Sequence, residues 1–268
     1  MPHFVYTDHA HLANLEYPGF DRNALKSGRY LRREAELYAA STLVFARSKH
    51  VSDAIVHGYG CPSDRVVVVG VGPNTTPPSD VDVDHAIGSW NGGRIVFVGV
   101  DWERKGGPDL IAAFRTVQLR HPDARLDIVG CSPIGVEGPG IKIHGRLSLE
   151  RVADLLAHAD LFCLPTLAEP FGVAFIEAMH AGLPLVGTRI GAIPDFLIPR
   201  ETGLLVEPDN VRGLAHALIQ LLANPDETQR MGRAARRLAQ ERFTWEAVMT
   251  SIKHHIDAAL LAAQFELA

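Results

Sequence analysis

The sequence lacks several features that would assign a protein to a function class. Its 268 residues contain three cysteines, Cys61, Cys131 and Cys163, which are widely spaced and form no Cys-x-x-Cys pair. No disulfide framework is expected, and Cys163, inside an apolar run, is interpreted as a packed thiol in a reducing compartment. The net charge of −5 gives no general case for nucleic-acid binding. No uncharged apolar run is long enough to span a membrane and no signal peptide is recognised, so a cytoplasmic protein is expected.

Metal-ligand spacing is also missing, although the chain has thirteen histidines. His9 and His11 are two residues apart, and His254 and His255 are adjacent on a predicted helix, where they do not share a face. No His-x3-His pair or carboxylate cluster accompanies them. We therefore expect no metal site and no cofactor.

The first 79 residues alternate between apolar strands and helices. Strands are predicted at Phe4–Thr7, Leu43–Ala46 and 65–69, with helices between them at about 21–40 and 48–58. This β-α-β-α-β pattern is half of a doubly wound sheet. It begins without a Gly-rich first turn, so residues 1–79 are expected to be a truncated Rossmann-like half of a domain.

A stretch rich in Gly, Pro and Asp, 70–84, is interpreted as a hinge or linker. After it, continuous apolar runs predict buried parallel strands at 95–98, 126–129, 141–144, Leu161–Leu164, 185–187 and 204–206. Three helices are predicted to follow, at 210–223, 226–240 and Trp245–Phe265. The sequence thus predicts an α/β protein with a complete Rossmann-like domain at 80–244 and a C-terminal helix at 245–268.

The most informative stretch follows the predicted strand Leu161–Leu164. Gly172 opens an amphipathic run, and Gly182 occupies the position where a helix commonly ends. Glu169 therefore lies in the loop after the strand, and Glu177 lies in the early turns of the helix.

The start of this helix is a candidate anion site. The amides of Gly172, Val173 and Ala174 have no intrahelical acceptor, and the helix dipole adds positive potential there. The site lies at the carboxyl end of a strand, where open α/β sheets bind ligands. The carboxylates of Glu169 and Glu177 flank it and suit neutral hydroxyls, such as those of a ribose or a sugar ring. A nucleotide-sugar combines these groups, although two solvated glutamates at this spacing would also be ordinary.

The same stretch resembles the Glu-x7-Glu signature of retaining glycosyltransferases of the GT-B fold, in the large family-four group. Similar segments follow at 177–186, 191–195 and 202–206, and residues 2–9 resemble the late N-domain strand that ends at a His facing the donor sugar. The resemblance covers nearly the whole chain, but only the second half of the N-terminal domain. It implies a complete C-terminal nucleotide-sugar domain and transfer of a glycosyl group to an acceptor hydroxyl with retention of configuration.

The resemblance also implies roles for the residues of this stretch. Glu177 is expected to hold the ribose hydroxyls, and Glu169 to orient the hydroxyls of the donor sugar. Phe171, Gly172 and Val173 are expected to present backbone amides to the sugar and phosphate. No protein nucleophile stands out, since in the resembling enzymes the leaving phosphate itself deprotonates the acceptor.

A Gly-flanked turn after the strand 95–98 supplies a cation. A lysine in such a turn can approach a diphosphate while the glycines let the backbone come close. The resemblance gives this role to Lys105, with Gly99 at the start of the turn. The family usually has an Arg directly after that glycine, where this chain has Val100. Arg104 is either its substitute or a solvated side chain.

Three further assignments complete the expected site. Arg146 and Leu147 follow the strand 141–144, in the loop along which family members bind the nucleobase, although a simple loop would look the same. His9 is expected to face the sugar, with a satisfied loop histidine as the alternative. The loop 130–140 lacks the Gly-x-Gly-x-x-Gly order and is interpreted as plain surface.

The expected partners are a nucleotide-sugar donor and an unidentified hydroxyl acceptor, which is a glycan, a lipid or a small molecule. Arg22, Lys26, Arg29 and Arg33 recur at helical spacing, so they are expected to form one basic helix face. That face is either solvated or meets anionic lipid or a phosphorylated acceptor at the inner membrane face. Two other functions stay open: a nucleotide-sugar-binding fragment or subunit that is inactive without a partner chain or the missing N-terminal half, and a nucleotide-sugar epimerase. Residues 1–79 are expected to allow self-association or pairing with a partner chain.

Overall fold

The computed structural model describes residues 2–79 and 92–265. The chain divides into two compact units, one formed by Met1–Gly72 with Arg242–Ala268 and the other by Pro73–Glu241. Part of the predicted linker, 80–84, lies outside the described residues, as does the beginning of the predicted domain 80–244.

The first unit is built on a three-stranded parallel sheet. Its strands pair in the order β1 (Phe4–Thr7), β2 (Leu43–Ala46) and β3 (Val66–Val68). The connecting helices are α1 (Gly28–Ala40) and α2 (Lys49–Asp53), and α2 continues as π-helix at Ala54–Gly58. All three strands therefore agree with the sequence pattern, the third being shorter than predicted.

The predicted helix 21–40 begins later than expected. Ser27 caps α1, its hydroxyl accepting a hydrogen bond from Tyr30 N at 3.4 Å, and a short 3-10 turn precedes it. Arg22 and Lys26 lie before the helix, so the expected basic helix face of four residues is wrong. The helix start was predicted too early because Asp21 was interpreted as the cap of an α-helix, whereas an Asp can cap a 3-10 turn as readily.

The last helix, α8 (Trp245–Phe265), packs on the sheet of the first unit. Val248 shares an apolar cluster with Phe45 and Val69, and Ile252 and Ile256 pack against that cluster. These side chains recur every three or four residues, so one stripe of α8 covers the sheet.

The second unit contains a six-stranded parallel sheet in the order β6-β5-β4-β7-β8-β9. Its strands are β4 (Arg94–Val98), β5 (Arg125–Val129), β6 (Ile141–Gly145), β7 (Leu161–Leu164), β8 (Leu185–Thr188) and β9 (Gly203–Val206). Each agrees with its predicted strand to within about one residue at either end. Numbered within this unit the order is 3-2-1-4-5-6, which is that of a doubly wound dinucleotide-binding sheet.

Among the described residues of the second unit, five helices connect or follow these strands: α3 (Gly107–Gln118), α4 (Leu149–Ala157), α5 (Val173–His180), α6 (Val211–Leu222) and α7 (Pro225–Arg242). The central strands β4 and β7 are buried, with Phe97 and Phe162 fully excluded from water. Cys163 is fully buried as well, so it is the packed thiol that the sequence predicted. The α/β architecture is therefore confirmed.

Candidate functional site

The strand order reverses between β4 and β7, and the reversal brings two loops together. The first loop ends at Gly106 and the second begins at Pro165. A Cβ on Gly106, whose φ is 70°, would lie 1.9 Å from the Pro165 carbonyl oxygen, so only glycine permits this approach. Leu167 N donates to the Arg104 carbonyl oxygen at 2.8 Å and ties the loops. Open α/β sheets bind ligands in the crevice outside the carboxyl ends of such strands.

Lys105 and Glu169, one from each of these loops, form a buried ion pair. Lys105 Nζ donates to Glu169 Oε2, and the two side chains are 12% and 7% exposed. Gly99 makes room for the lysine, because a Cβ there would lie 3.0 Å from Lys105 Cγ. The sequence suggested both residues separately but not their pairing. Together they place one cation and one carboxylate in the crevice.

Arg104 connects the two loops through hydrogen bonds. Its Nε donates to Asp101 Oδ2 at 3.1 Å, and its Nη1 donates to the Ala168 carbonyl oxygen at 2.8 Å. The Arg104 carbonyl oxygen also accepts from Thr166 Oγ1 at 3.1 Å. Two of its donors are thus engaged in holding the loop that carries Glu169.

The first turn of α5 directly follows the loop that carries Glu169. Gly172 precedes the helix in the left-handed region with φ of 95°, and Phe175 N donates to its carbonyl oxygen at 2.9 Å. Phe171 is buried, whereas Val173 and Ala174 are partly exposed. The amides of this turn therefore form the positive dipole end of a helix that begins directly after the loop carrying Glu169.

Glu177 lies one turn further along α5 and is 6% exposed. Its Oε1 accepts a hydrogen bond from Asn74 N at 3.2 Å. Burial raises the pKa of Glu177, and the backbone hydrogen bonds from Asn74 and Thr75 act in the opposite direction. Sequence reasoning missed Asn74, because a backbone amide donor leaves no trace in the choice of side chain.

A cavity of about 470 Å³ opens beyond the ends of β4, β5 and β6. Its lining consists of Val100, Trp102, Gly130, Cys131, Ser132, Pro133 and Arg146. Leu147, next to Arg146, is half-buried. The first four residues of the loop 130–140, which was interpreted as plain surface, line this cavity. The sequence could have indicated these residues through their position, because they directly follow β5, the neighbour of β4.

Trp102 is the aromatic side chain of this cavity. Its ring meets Phe97 edge to face at 5.5 Å. A Cβ on Gly107 would lie 2.2 Å from the Trp102 ring, so the glycine at the start of α3 makes room for the indole. An aromatic wall of this kind suits a planar ligand group.

His9 belongs to the first unit, whereas the other candidate residues belong to the second. It follows β1, and its backbone N donates to Thr7 Oγ1 at 3.3 Å. Burial first, and then the neighbouring His11, lowers the pKa of His9. An imidazole that stays neutral can accept a hydrogen bond.

Within residues 2–79 and 92–265, no group of three or more His, Cys, Asp and Glu is placed to hold a metal ion. In the same part of the chain, no helix combines the length and the apolar character that crossing a membrane requires.

Comparison with known sequences gives consistent matches. A family model described as Glycosyl transferases group 1 matches residues 92–224. The chain is 32% identical over 238 residues to the D-inositol 3-phosphate glycosyltransferase of Corynebacterium aurimucosum, covering 80% of this chain and 56% of the relative. It is 33% identical over 174 residues to a glycogen synthase of Mycobacterium tuberculosis, covering 59% and 41%. The chain thus spans about half the length of the curated relatives it matches.

Solved structures show the same fold. Sucrose-phosphate synthase from Thermosynechococcus elongatus superposes with a TM-score of 0.76 at 23% identity, covering 97% of this chain and 68% of that one. HepE of Anabaena, in complex with UDP and glucose, superposes with a TM-score of 0.75 at 22% identity, covering 96% and 71%. At this identity the likeness establishes the fold alone.

Proposed function

The chain belongs to the glycosyl transferases group 1 and has a GT-B type of α/β fold, and we propose that it binds a nucleotide-sugar in the crevice between β4 and β7. From this donor it would transfer the glycosyl group to an acceptor hydroxyl with retention of configuration. The observation that carries the proposal is the buried Lys105–Glu169 pair, set beside the first turn of α5. It offers a cation for phosphate and a carboxylate for hydroxyls at the switch point of the sheet.

The diphosphate of the donor would lie against Lys105 and the first amides of α5. Both stabilise the negative charge that grows on the departing nucleoside diphosphate, and such preorganised electrostatic stabilisation commonly contributes more to catalysis than any other effect. This cationic surface takes the role that a metal ion has in other transferases, so the reaction is proposed to be metal-independent. Gly99 and Gly172 let the backbone come close to the phosphates. Arg104 acts indirectly, because it holds the loop that carries Glu169 in place.

The sugar and ribose would be held through their hydroxyls. Glu169 orients the hydroxyls of a hexose, and Glu177 accepts from the ribose while sharing its carboxylate with Asn74 N. Phe171, Val173 and Ala174 contribute backbone amides near the sugar and phosphate. His9 is proposed to face the sugar.

The nucleobase would occupy the cavity beyond β4, β5 and β6. Its volume of about 470 Å³ lies within the range of small-molecule pockets. Trp102 offers an aromatic surface, and Arg146 and Leu147 offer the loop backbone to the edge of the base.

The transfer itself breaks the bond between the anomeric carbon and the diphosphate oxygen. A bond to the acceptor oxygen forms on the same face, and the acceptor proton passes to the leaving phosphate. This route needs no protein nucleophile, and it explains why the candidate residues bind charge and hydroxyls.

Residues 1–79 would carry the acceptor side, and residues 80–244 the donor side. A second candidate function is a donor-binding subunit that turns over only with a partner chain. It is favoured by the short sheet of the first unit, in which β1 and β3 are the edge strands of the described residues, since edge strands can pair with another chain. A hydroxyl acceptor carried by a membrane lipid would bring the protein to the membrane surface.

A thermal-shift screen of nucleotide-sugars, nucleoside diphosphates and nucleosides tests the proposal. Ligand at 100 times its Kd stabilises the folded chain by about 2.7 kcal/mol, which raises Tm measurably. A selective shift with one nucleotide-sugar and its diphosphate supports the donor site. The absence of any shift at millimolar concentration would contradict it. Product analysis with and without an acceptor then separates transferase, subunit and epimerase.

A further inference from the structure

The carboxylate of Glu177 is held by two backbone amides. Its Oε1 accepts a hydrogen bond from Asn74 N at 3.2 Å, and Thr75 N supplies a second hydrogen bond. In the described part of the chain no cationic side chain pairs with Glu177, whereas Glu169 is paired with Lys105. Backbone N–H groups that donate to a carboxylate favour its ionised form. The two glutamates of the candidate site are thus held by different means.

The two amides leave acceptor capacity on the carboxylate. An ionised carboxylate has about four acceptor positions on its two oxygens. The amides of Asn74 and Thr75 use two of them, so about two remain, which is the number that the vicinal 2′- and 3′-hydroxyls of a ribose need. Because Glu177 is only 6% exposed, its side chain has little freedom to reorient towards a ligand. The direction of the carboxylate must therefore be set before the ligand binds.

Arg236 of α7 attaches the same part of the backbone, the segment 73–79, to the end of α5. Its Nη2 donates to the Pro78 carbonyl oxygen at 3.0 Å, and its Nη1 donates to the His180 carbonyl oxygen. The side chain is buried, and the planar guanidinium can hold two acceptors in a fixed arrangement. The segment is therefore attached to α5 twice, at Glu177 and beside His180.

A glycine brings α7 close enough for this contact. A Cβ on Gly232 would lie 2.1 Å from the carbonyl oxygen of Gly182, two residues beyond the end of α5. Arg236 lies four residues after Gly232 and therefore on the same face of α7. The close approach of the helices thus places the guanidinium against the end of α5.

We propose that the segment 73–79 and Arg236 position Glu177 for the ribose of the donor: the amides of Asn74 and Thr75 set the direction of the carboxylate, and Arg236 keeps these amides in place. The inference rests on the proposed function in one respect, namely that Glu177 binds the ribose. It adds that recognition of the two vicinal hydroxyls depends on a backbone segment and on an arginine that does not touch the ligand. All of these residues belong to the second unit.

The first test compares ligands with and without the two hydroxyls. UDP, GDP and ADP and their 2′,3′-dideoxy analogues are titrated calorimetrically, and the ratio of the two affinities is taken for the base that binds most tightly. Asn74→Pro removes one amide donor, whereas Asn74→Ala keeps it. Arg236→Met removes the guanidinium, and Arg237→Met, at an exposed neighbouring position of α7, is its matched control.

The wild type, Asn74→Ala and Arg237→Met are expected to bind the ribose form at least about tenfold more tightly than the dideoxy form. In Asn74→Pro and Arg236→Met the ratio should fall to about threefold or less, through weaker binding of the ribose form alone. An unchanged ratio in both folded variants would overturn the inference, and so would an equal loss of affinity for both ligands. A wild type that binds diphosphates without this preference would instead contradict the proposed role of Glu177.

A second test needs no ligand. In 15N–1H spectra of the whole chain, the amide signals of Asn74 and Thr75 should shift together with pH as Glu177 titrates. The shift should vanish in Glu177→Gln, which separates it from titration of His180 nearby, and it should shrink in Arg236→Met. Amide signals that do not respond to pH, or that respond equally in Glu177→Gln, would overturn the inference whether or not the chain binds a donor. If a variant of the first test fails to fold, the wild-type and Glu177→Gln spectra decide.

Discussion

The ammonium of Lys105 donates to the carboxylate of Glu169 across 64 residues of sequence, and both side chains are largely excluded from water. Each charge has lost most of its hydration, and the opposite charge of the partner compensates for that loss. The pair also joins the loop after β4 to the loop after β7. Single and double substitutions at these two positions should therefore behave very differently.

Lys105→Met is expected to lower the free energy of unfolding by about 3–5 kcal/mol, because it leaves the Glu169 carboxylate buried without a counter-charge. Combining Lys105→Met with Glu169→Gln should recover most of that loss, since no uncompensated charge remains. Urea unfolding of the single and double variants measures both effects. A single variant as stable as the double one would show that the two side chains do not pair in the folded protein.

Gly106→Ala should disrupt the approach of the two loops. Both Gly106 and Gly135 have left-handed backbones, with φ of 70° and 72°, but only Gly106 has a carbonyl oxygen in the space of a Cβ. Gly135→Ala, the matched control, should cost about 1–2 kcal/mol for the backbone conformation alone. Gly106→Ala should cost clearly more and should weaken binding of a nucleoside diphosphate. Equal unfolding curves and equal affinities for the two variants would refute the close contact with Pro165.

Much of this architecture is accessible from the sequence, and the omissions have physical causes. Continuous apolar runs predict the strands of the second unit, and Gly172 and Gly182 mark the ends of α5, because buried parallel strands and helix ends are local features. The Lys105–Glu169 pair was not predicted, because it depends on which strands are neighbours. The contact of Asn74 N with Glu177 was missed as well, since any residue except proline carries a backbone donor.

Glu177→Gln is expected to stabilise the chain near neutral pH while weakening donor binding. Burial raises the pKa of Glu177, so its contribution to stability is fully present below the ordinary value of about 4.3 and is lost as the pH rises through the higher folded pKa. The glutamine avoids burying a charge and can still accept from Asn74 N.

Urea midpoints of wild type and Glu177→Gln at pH 7 and pH 4 measure this effect. The advantage of the variant should be present at pH 7 and should shrink at pH 4, where Glu177 takes up its proton in both states. An identical difference at both pH values would exclude titration of Glu177 as the cause.

Asp127→Asn should destabilise the second unit without removing donor binding. Burial of Asp127 opposes its charge, but Arg94 Nε at 2.6 Å and the hydrogen-bonded His144 outweigh burial and lower its pKa. Its contribution to stability is therefore present above the ordinary pKa of about 3.9 and is lost as the pH falls through the lower folded value. The expected loss at pH 7 is about 3 kcal/mol, since Arg94 loses its buried counter-charge.

Urea unfolding at pH 7 and calorimetric titration with a nucleoside diphosphate check both parts of this prediction. Asp127 lies within β5 and not in the loops of the crevice, so the affinity should change little. A tenfold loss of affinity in a folded Asp127→Asn variant would mean that the cluster contributes to the donor site.

The most direct test of the donor site is calorimetric titration of the wild type and of the folded Lys105→Met, Glu169→Gln double variant with a nucleoside diphosphate and with the matching nucleoside. Charge-assisted hydrogen bonds contribute about 1.5–3 kcal/mol each, so the double variant should bind the diphosphate at least about tenfold more weakly. Its affinity for the nucleoside should stay the same, because the base cavity and Glu177 are untouched. A folded double variant that binds the diphosphate as tightly as the wild type would contradict the assignment of the β4–β7 crevice as the donor site.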